Sequence, residues 1–175
     1  MTKDKFAQLV LDSTDSLYRV SKGILKNDSD CEDAVWEAIG IGFAKLDTLQ
    51  NDNFAKTWLI RILIHECFRV LKEKKRRCSL GEESLEYRTV SRRNGYSIYS
   101  TDSLVPKTGE VSEIYTDLYQ ALLELEEKYR IPLVLFYLEG YSVREIAAIL
   151  ESTEGTVKSW LSRGRGYLKQ ILEER

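Results

Sequence analysis

At 175 residues and 20.3 kDa the chain has room for one large or two small domains, each able to bury a core of its own. A formal net charge of −2 and a pI near 5.6 exclude a protein that coats DNA through a uniformly basic surface. Three cysteines, Cys31, Cys67 and Cys78, and one histidine, His65, exclude a disulfide framework and supply neither the close spacing of a zinc site nor a histidine pair.

The thiols read as reduced. With no N-terminal signal region and no uninterrupted apolar run of membrane-spanning length, a soluble, cytoplasmic chain without direct membrane insertion is expected. Charge is segregated along it: Asp28, Asp30, Glu32, Asp33 and Glu37 form an acidic block, Arg69 to Arg77 a basic one, and Glu110 to Glu127 holds no basic residue. Such asymmetry suggests separate surfaces for an anionic polymer and a basic protein.

From Phe6 to Arg77 apolar residues recur at helical intervals, broken only near Asn27-Asp28-Ser29 and Gln50-Asn51-Asp52-Asn53. The stretch from Ser29 to about Leu46 reads as a helix capped by Ser29 or Asp30, with Ala34, Val35, Ala38, Ile41, Gly42 and Leu46 inward. Asp30, Asp33 and Glu37 then line a face that repels DNA and suits a basic protein helix. Two readings of Trp36 stand: an exposed anchor ringed by carboxylates, or a buried ring behind an ordinary solvated charge run.

The next break supplies Asn51, Asn53 and Phe54, followed by Trp58, a mixture able to hydrogen-bond and stack an unstacked base. For Trp58 itself a place in the core is the stronger reading. A helix from about Ala55 to Lys75 buries Leu59, Ile62, Leu63, Cys67 and Val70 and sets Arg61, His65, Arg69, Lys72 and Arg76 along its other side. That basic stripe can track phosphates. His65 can donate one hydrogen bond and accept another there, or it is a partly buried helix residue satisfied by a neighbour.

From Ser79 to Val111, Gly81, Ser84, Ser91, Asn94, Gly95, Pro106 and Gly109 punctuate a polar run that reads as a flexible linker. Its Tyr87, Tyr96 and Tyr99 either become ordered on a partner's apolar surface or are scattered aromatics with no such role. Helical periodicity resumes near Ser112, breaks at Ile131-Pro132, where Pro132 is expected in the first turn of a new helix, and continues to the C-terminus.

Ser142 and Glu145 form a capping box ahead of a short helix with Val143, Ile146, Ala147 and Leu150 on one face. Glu151-Ser152-Thr153 ends it. Thr153 caps a second helix whose Val157, Leu161, Gly164, Leu168, Ile171 and Leu172 point inward, while Lys158, Ser159, Ser162, Arg163 and, at the edge, Arg165 point outward. No carboxylate lies between Thr156 and Gln170, as a helix-turn-helix reading a major groove requires. The plainer alternative is a surface helix with solvated cations. The expected fold is all-α: two small helical domains, residues 1–78 and 112–175, joined by a linker over 79–111.

Three segments, DCEDAVWEAIGIGFAKLDTL (Asp30–Leu49), TWLIRILIHECFRVLKEKKRR (Thr57–Arg77) and EGTVKSWLSRGRGYLK (Glu154–Lys169), together resemble the extracytoplasmic-function (ECF) sigma factors of bacterial RNA polymerase. The resemblance covers nearly the whole chain, and the third segment is its most specific part. It implies that the first segment, through Asp30, Asp33, Trp36 and Glu37, grips the clamp helices of the polymerase largest subunit. It implies further that the second segment, with Asn51, Asn53, Phe54 and the Arg61–Arg76 stripe, melts and reads the minus-ten element, and that the third reads the minus-thirty-five element. Trp36 stands where the family commonly has Gln, His65 where it has Asn, and Trp160 where it has Arg.

The implied partners are core RNA polymerase, promoter DNA and a membrane-linked anti-sigma factor that holds the chain at the inner face of the membrane until an envelope signal arrives. No catalysis and no cofactor are implied. A competing reading is a transcriptional regulator with an N-terminal sensing or dimerising domain, although a ligand sensor has no need of the basic stripe. A small enzyme has no support, because no phosphate-binding glycine loop, metal-ligand pair or nucleophile with its base is visible.

Overall fold

The computed structural model describes residues 1–79 and 111–174, so the expected linker lies, apart from its two end residues, outside the described residues, as do Tyr87, Tyr96 and Tyr99. Among the described residues the secondary structure is helical throughout, and no helix is long and apolar enough to cross a membrane. Helix α1 (Lys3–Leu25) starts at Thr2, whose hydroxyl accepts from the Lys5 amide, and stops at Lys26, which turns the chain through a positive φ of 63°. Helix α2 (Asp28–Ala44) follows at once. Its cap is Asn27, two residues ahead of the expected Ser29 and three ahead of Asp30, because Lys26 already reverses the chain and leaves Asn27 as the extended residue; its side-chain oxygen accepts from the Asp30 amide at 3.2 Å.

Two 3-10 turns, Leu46–Thr48 and Asp52–Phe54, lead into α3 (Ala55–Ser79). These three helices close over fully buried Phe6, Leu17, Ile24, Leu59, Ile60, Leu63 and Ile64. Each such side chain contributes about 1.5–3 kcal/mol by leaving water. The Phe6 ring meets Phe43 edge-on at 4.8 Å and Trp58 at 6.1 Å, so Trp58 packs against the core, as its stronger reading expects.

The C-terminal half consists of α4 (Val111–Glu124), α5 (Glu127–Leu133), a π-helical turn at Val134–Leu138, α6 (Val143–Ile149) and α7 (Glu154–Glu173). The break between helices falls at Leu125-Glu126, and Pro132 lies inside α5 instead of opening a new helix. Proline has no N–H for the fourth carbonyl back, and the chain continues past it in a wider turn, with the Glu139 amide bonded to the Val134 carbonyl five residues earlier. Both caps of the helix-turn-helix form as expected: the Ser142–Glu145 capping box opens α6 and Thr153 opens α7.

Along α7, Val157, Leu161 and Gly164 are buried, Leu168 and Ile171 are half-buried, and Leu172 is exposed, so the inward stripe loses its cover in the last turn. Gly164 lets α7 approach α5, since a Cβ there would stand 3.0 Å from Leu133 Cδ1 and 3.3 Å from Tyr129 Cβ. The two halves share one apolar core: α1 packs on α5 and the π turn, and α3 packs on α6.

Candidate nucleic-acid and docking surfaces

Helix α3 carries Arg61, His65, Arg69, Lys72 and Arg76 on its exposed side, while Leu59, Ile60, Leu63, Ile64 and Cys67 are buried on the other. The stripe is therefore real as a surface, but it is less purely cationic than its spacing suggests. Arg69 donates to Glu66 at 2.7 Å and to Glu73 at 3.1 Å on its own helix. Both carboxylates were legible at i−3 and i+4 of Arg69, the spacing at which helical side chains meet. At the start of α3, Asn51 spends its side-chain oxygen capping the 3-10 turn through the Asn53 amide at 3.0 Å. Asn53 and Phe54 are exposed, the Phe54 ring by 58%, and Asp52 pairs with the amino group of Met1 at 2.9 Å.

Helix α2 exposes Asp33, Trp36 and Glu37 at positions i, i+3 and i+4 of one face. Trp36 is 63% exposed, which agrees with the anchor reading and not with the buried one. Asp30 does not join that face. It is buried and pairs with Lys74 across the α2–α3 contact, because α3 brings its basic end alongside the acidic start of α2. Its carboxylate is thus committed inside the N-terminal half. The two buried thiols are packing groups: desolvation pushes Cys31 up to about 11 and Cys67 upward as well, which leaves neither as a reactive thiolate.

On α7 the side chains of Lys158, Ser162, Arg163 and Arg165 are exposed and Ser159 is half-buried. Trp160 is half-buried against the core, so it faces away from this surface. Arg165 also donates to the Tyr137 hydroxyl at 3.3 Å, tying the edge of the face to the π turn. The capping box holds α6 in place beneath it: Glu145 accepts from the Ser142 amide at 2.9 Å, and the Ser142 hydroxyl accepts from the Glu145 amide at 3.3 Å.

The two basic faces lie on different helices, and the sequence did not reveal what stands between them. Glu151, in the turn of the helix-turn-helix, pairs with Arg61, and its Oε1 lies 3.9 Å from His65 Nε2. The Arg61 guanidinium beside it holds the Glu151 carboxyl below the usual carboxylate range. No local pattern links residues 90 positions apart.

Comparison with known proteins covers both halves. Residues 115–168 match the family described as Sigma-70, region 4. The chain is 31% identical over 98% of its length to the ECF RNA polymerase sigma factor SigW of Bacillus subtilis, spanning 91% of that protein. It is 26% identical to the RNA polymerase sigma factor SigV of the same organism, over 93% of this chain and 87% of that one. Among solved structures, the fold resembles the sigma factor RpoE of Bartonella quintana in complex with the anti-sigma factor NepR (TM-score 0.76, 24% identity, 98% of each chain). It also resembles CnrH in complex with the cytosolic domain of CnrY (TM-score 0.67, 19% identity, 99% of this chain and 90% of that one).

Proposed function

We propose, from the premise that the chain belongs to the ECF family of RNA polymerase sigma factors, a division of labour among its three surfaces. The protein is a sigma factor: a non-catalytic subunit that binds core RNA polymerase and directs transcription initiation at specific promoters. Asp33, Trp36 and Glu37 dock on the polymerase. Asn53, Phe54, Arg61, His65, Arg69, Lys72 and Arg76, on a loop ordered by Asn51, engage the melted downstream element. Lys158, Ser159, Ser162, Arg163 and Arg165 read the upstream element in the major groove. The domain limits 1–78 and 112–175 follow that division.

The observation that carries this reading is the segregation itself. Two exposed donor-rich faces sit on α3 and α7, and an exposed aromatic flanked by carboxylates sits on α2. A regulator that reads one operator has use for only the α7 face. The promoters served are envelope-stress promoters, and a membrane-linked anti-sigma factor restrains the chain at the inner face of the membrane; the anti-sigma factor NepR, bound to one structural neighbour, supports the restraint.

In vitro transcription with purified core polymerase and a genomic template library tests the function. Initiation at a defined set of promoters only when the chain is added is the expected result. Tight operator binding without core polymerase, and no stimulated initiation, supports the regulator instead.

A further inference from the structure

An exposed aromatic ring stands among the cations of α3. Phe68 is 40% exposed, whereas Ile62, Val70 and Leu71 of the same helix pack against the core. It follows His65 by three positions and precedes Lys72 by four, the spacings at which helical side chains share a face. Along the axis it lies about 4.5 Å past His65 and about 6 Å before Lys72, and around the axis about 20° from Arg61. A lone apolar side chain on a surface has no special meaning. One seated inside a basic stripe narrows what that stripe can hold.

Duplex DNA has little use for such a ring, because its bases are stacked on one another and its outside is phosphate. A single strand offers two groups at once: phosphates for Lys72 and Arg76, and an open base face for the ring. Stacking on a phenyl ring needs no particular base, since every base has a π-face. The charge nearest the ring is also quietened, because Arg69 donates to Glu66 and Glu73 and so keeps its guanidinium on its own helix. At this level of α3 the surface presents a ring more than a cation.

We infer that Phe68 is a base-stacking platform: its ring takes the face of one unpaired base of the melted strand, while Lys72 holds the neighbouring phosphate. The assignment rests on the proposed role of the α3 stripe and adds to it a contact that reads no base identity. Phe54, exposed at the head of α3, lies about 20 Å before Phe68 along the axis, so the two rings meet different bases.

The test uses the holoenzyme, the full chain on core polymerase, and a labelled single strand of about 20 nucleotides carrying the downstream element of a promoter at which that holoenzyme initiates. Phe68→Ala and Phe68→Leu should weaken strand binding by about fivefold to a hundredfold, the loss of one base–aromatic stack, and Phe68→Tyr should retain it. Helical content and affinity for core polymerase should be unchanged in all three. Removing one base at a time from the strand should reveal a single position at which Phe68→Ala no longer matters, and a different position for Phe54→Ala. Leucine serving as well as phenylalanine would mean that the side chain is only apolar cover. A loss of the same size on every abasic strand, a position shared with Phe54, or a defect confined to polymerase binding would each overturn the stacking assignment. Normal strand binding by Phe68→Ala, with Lys72→Ala weakened, removes Phe68 and leaves the α3 stripe in place. A wild-type holoenzyme that initiates at no promoter removes the proposed function, and this assignment with it.

Discussion

At the residue scale the chain is most explicit where one side chain completes another's hydrogen bonds. Ser142 and Glu145 satisfy each other's backbone amides, and the two bonds from Ser142 hold the Glu145 carboxyl below its usual range. A carboxyl whose folded value is depressed stabilises the fold above its unfolded value, near 4.5, and loses that contribution as pH falls through the lower folded value. Glu145→Ala removes the N3 half of the capping box and should cost about 0.3–1.5 kcal/mol at neutral pH. The gap between mutant and wild type in urea denaturation should narrow on acidification below 4.5; a gap constant with pH would mean the carboxylate is not what the cap uses.

His65 is the sharper residue for function. Asparagine can both donate and accept a hydrogen bond, as imidazole does, whereas alanine can do neither. His65→Asn is expected to retain initiation and His65→Ala to bind core polymerase without opening the promoter, as permanganate footprinting of the melted strand would show. Equal melting by all three proteins would remove His65 from the DNA surface. Asp30 shows the limit of such reasoning: its carboxylate is indistinguishable in sequence from Asp33, and only the approach of Lys74 on a separate helix buries it.

At the element scale, periodicity made the long helices legible, and the capping residues fixed the helix-turn-helix closely. Val157, Leu161 and Gly164 face inward as their spacing requires. Pro132 misled because a missing N–H is read locally as a helix start, while here the turn after it widens and carries the chain on. On the outward side of α7, Arg163 can pair with a guanine edge, so Arg163→Ala should lose about 1–3 kcal/mol of upstream-element binding and relax preference at one base pair. Lys158→Ala should weaken binding to all sequences about equally and flatten its salt dependence, as expected for a phosphate contact. Gel-shift titrations against single-base variants of the element separate the two; identical profiles would deny α7 a base-reading role.

At the scale of the whole molecule, charge segregation announced three surfaces, whereas the contacts that fold the halves together left no trace in sequence. Arg130, Glu139 and Glu151 occupy positions where a solvated charge is the ordinary expectation, and each finds its partner on a distant helix. The acidic face of α2 allows the remaining prediction to be kinetic. Glu37 is exposed at the edge of the patch and Trp36 projects from it with 63% of its surface open, so the two should act on different steps of docking. A rim charge steers encounter, so Glu37→Lys should slow association with core polymerase severalfold, with the loss shrinking as salt is raised and dissociation little changed. An aromatic anchor is desolvated only in the complex, so Trp36→Ala should speed dissociation, by the ~30-fold or more that a loss of at least 2 kcal/mol represents, and leave association nearly intact. Stopped-flow binding of labelled chain to core polymerase at several salt concentrations reads both constants. Unchanged rates in both variants, with helical content preserved, would move the docking surface off α2.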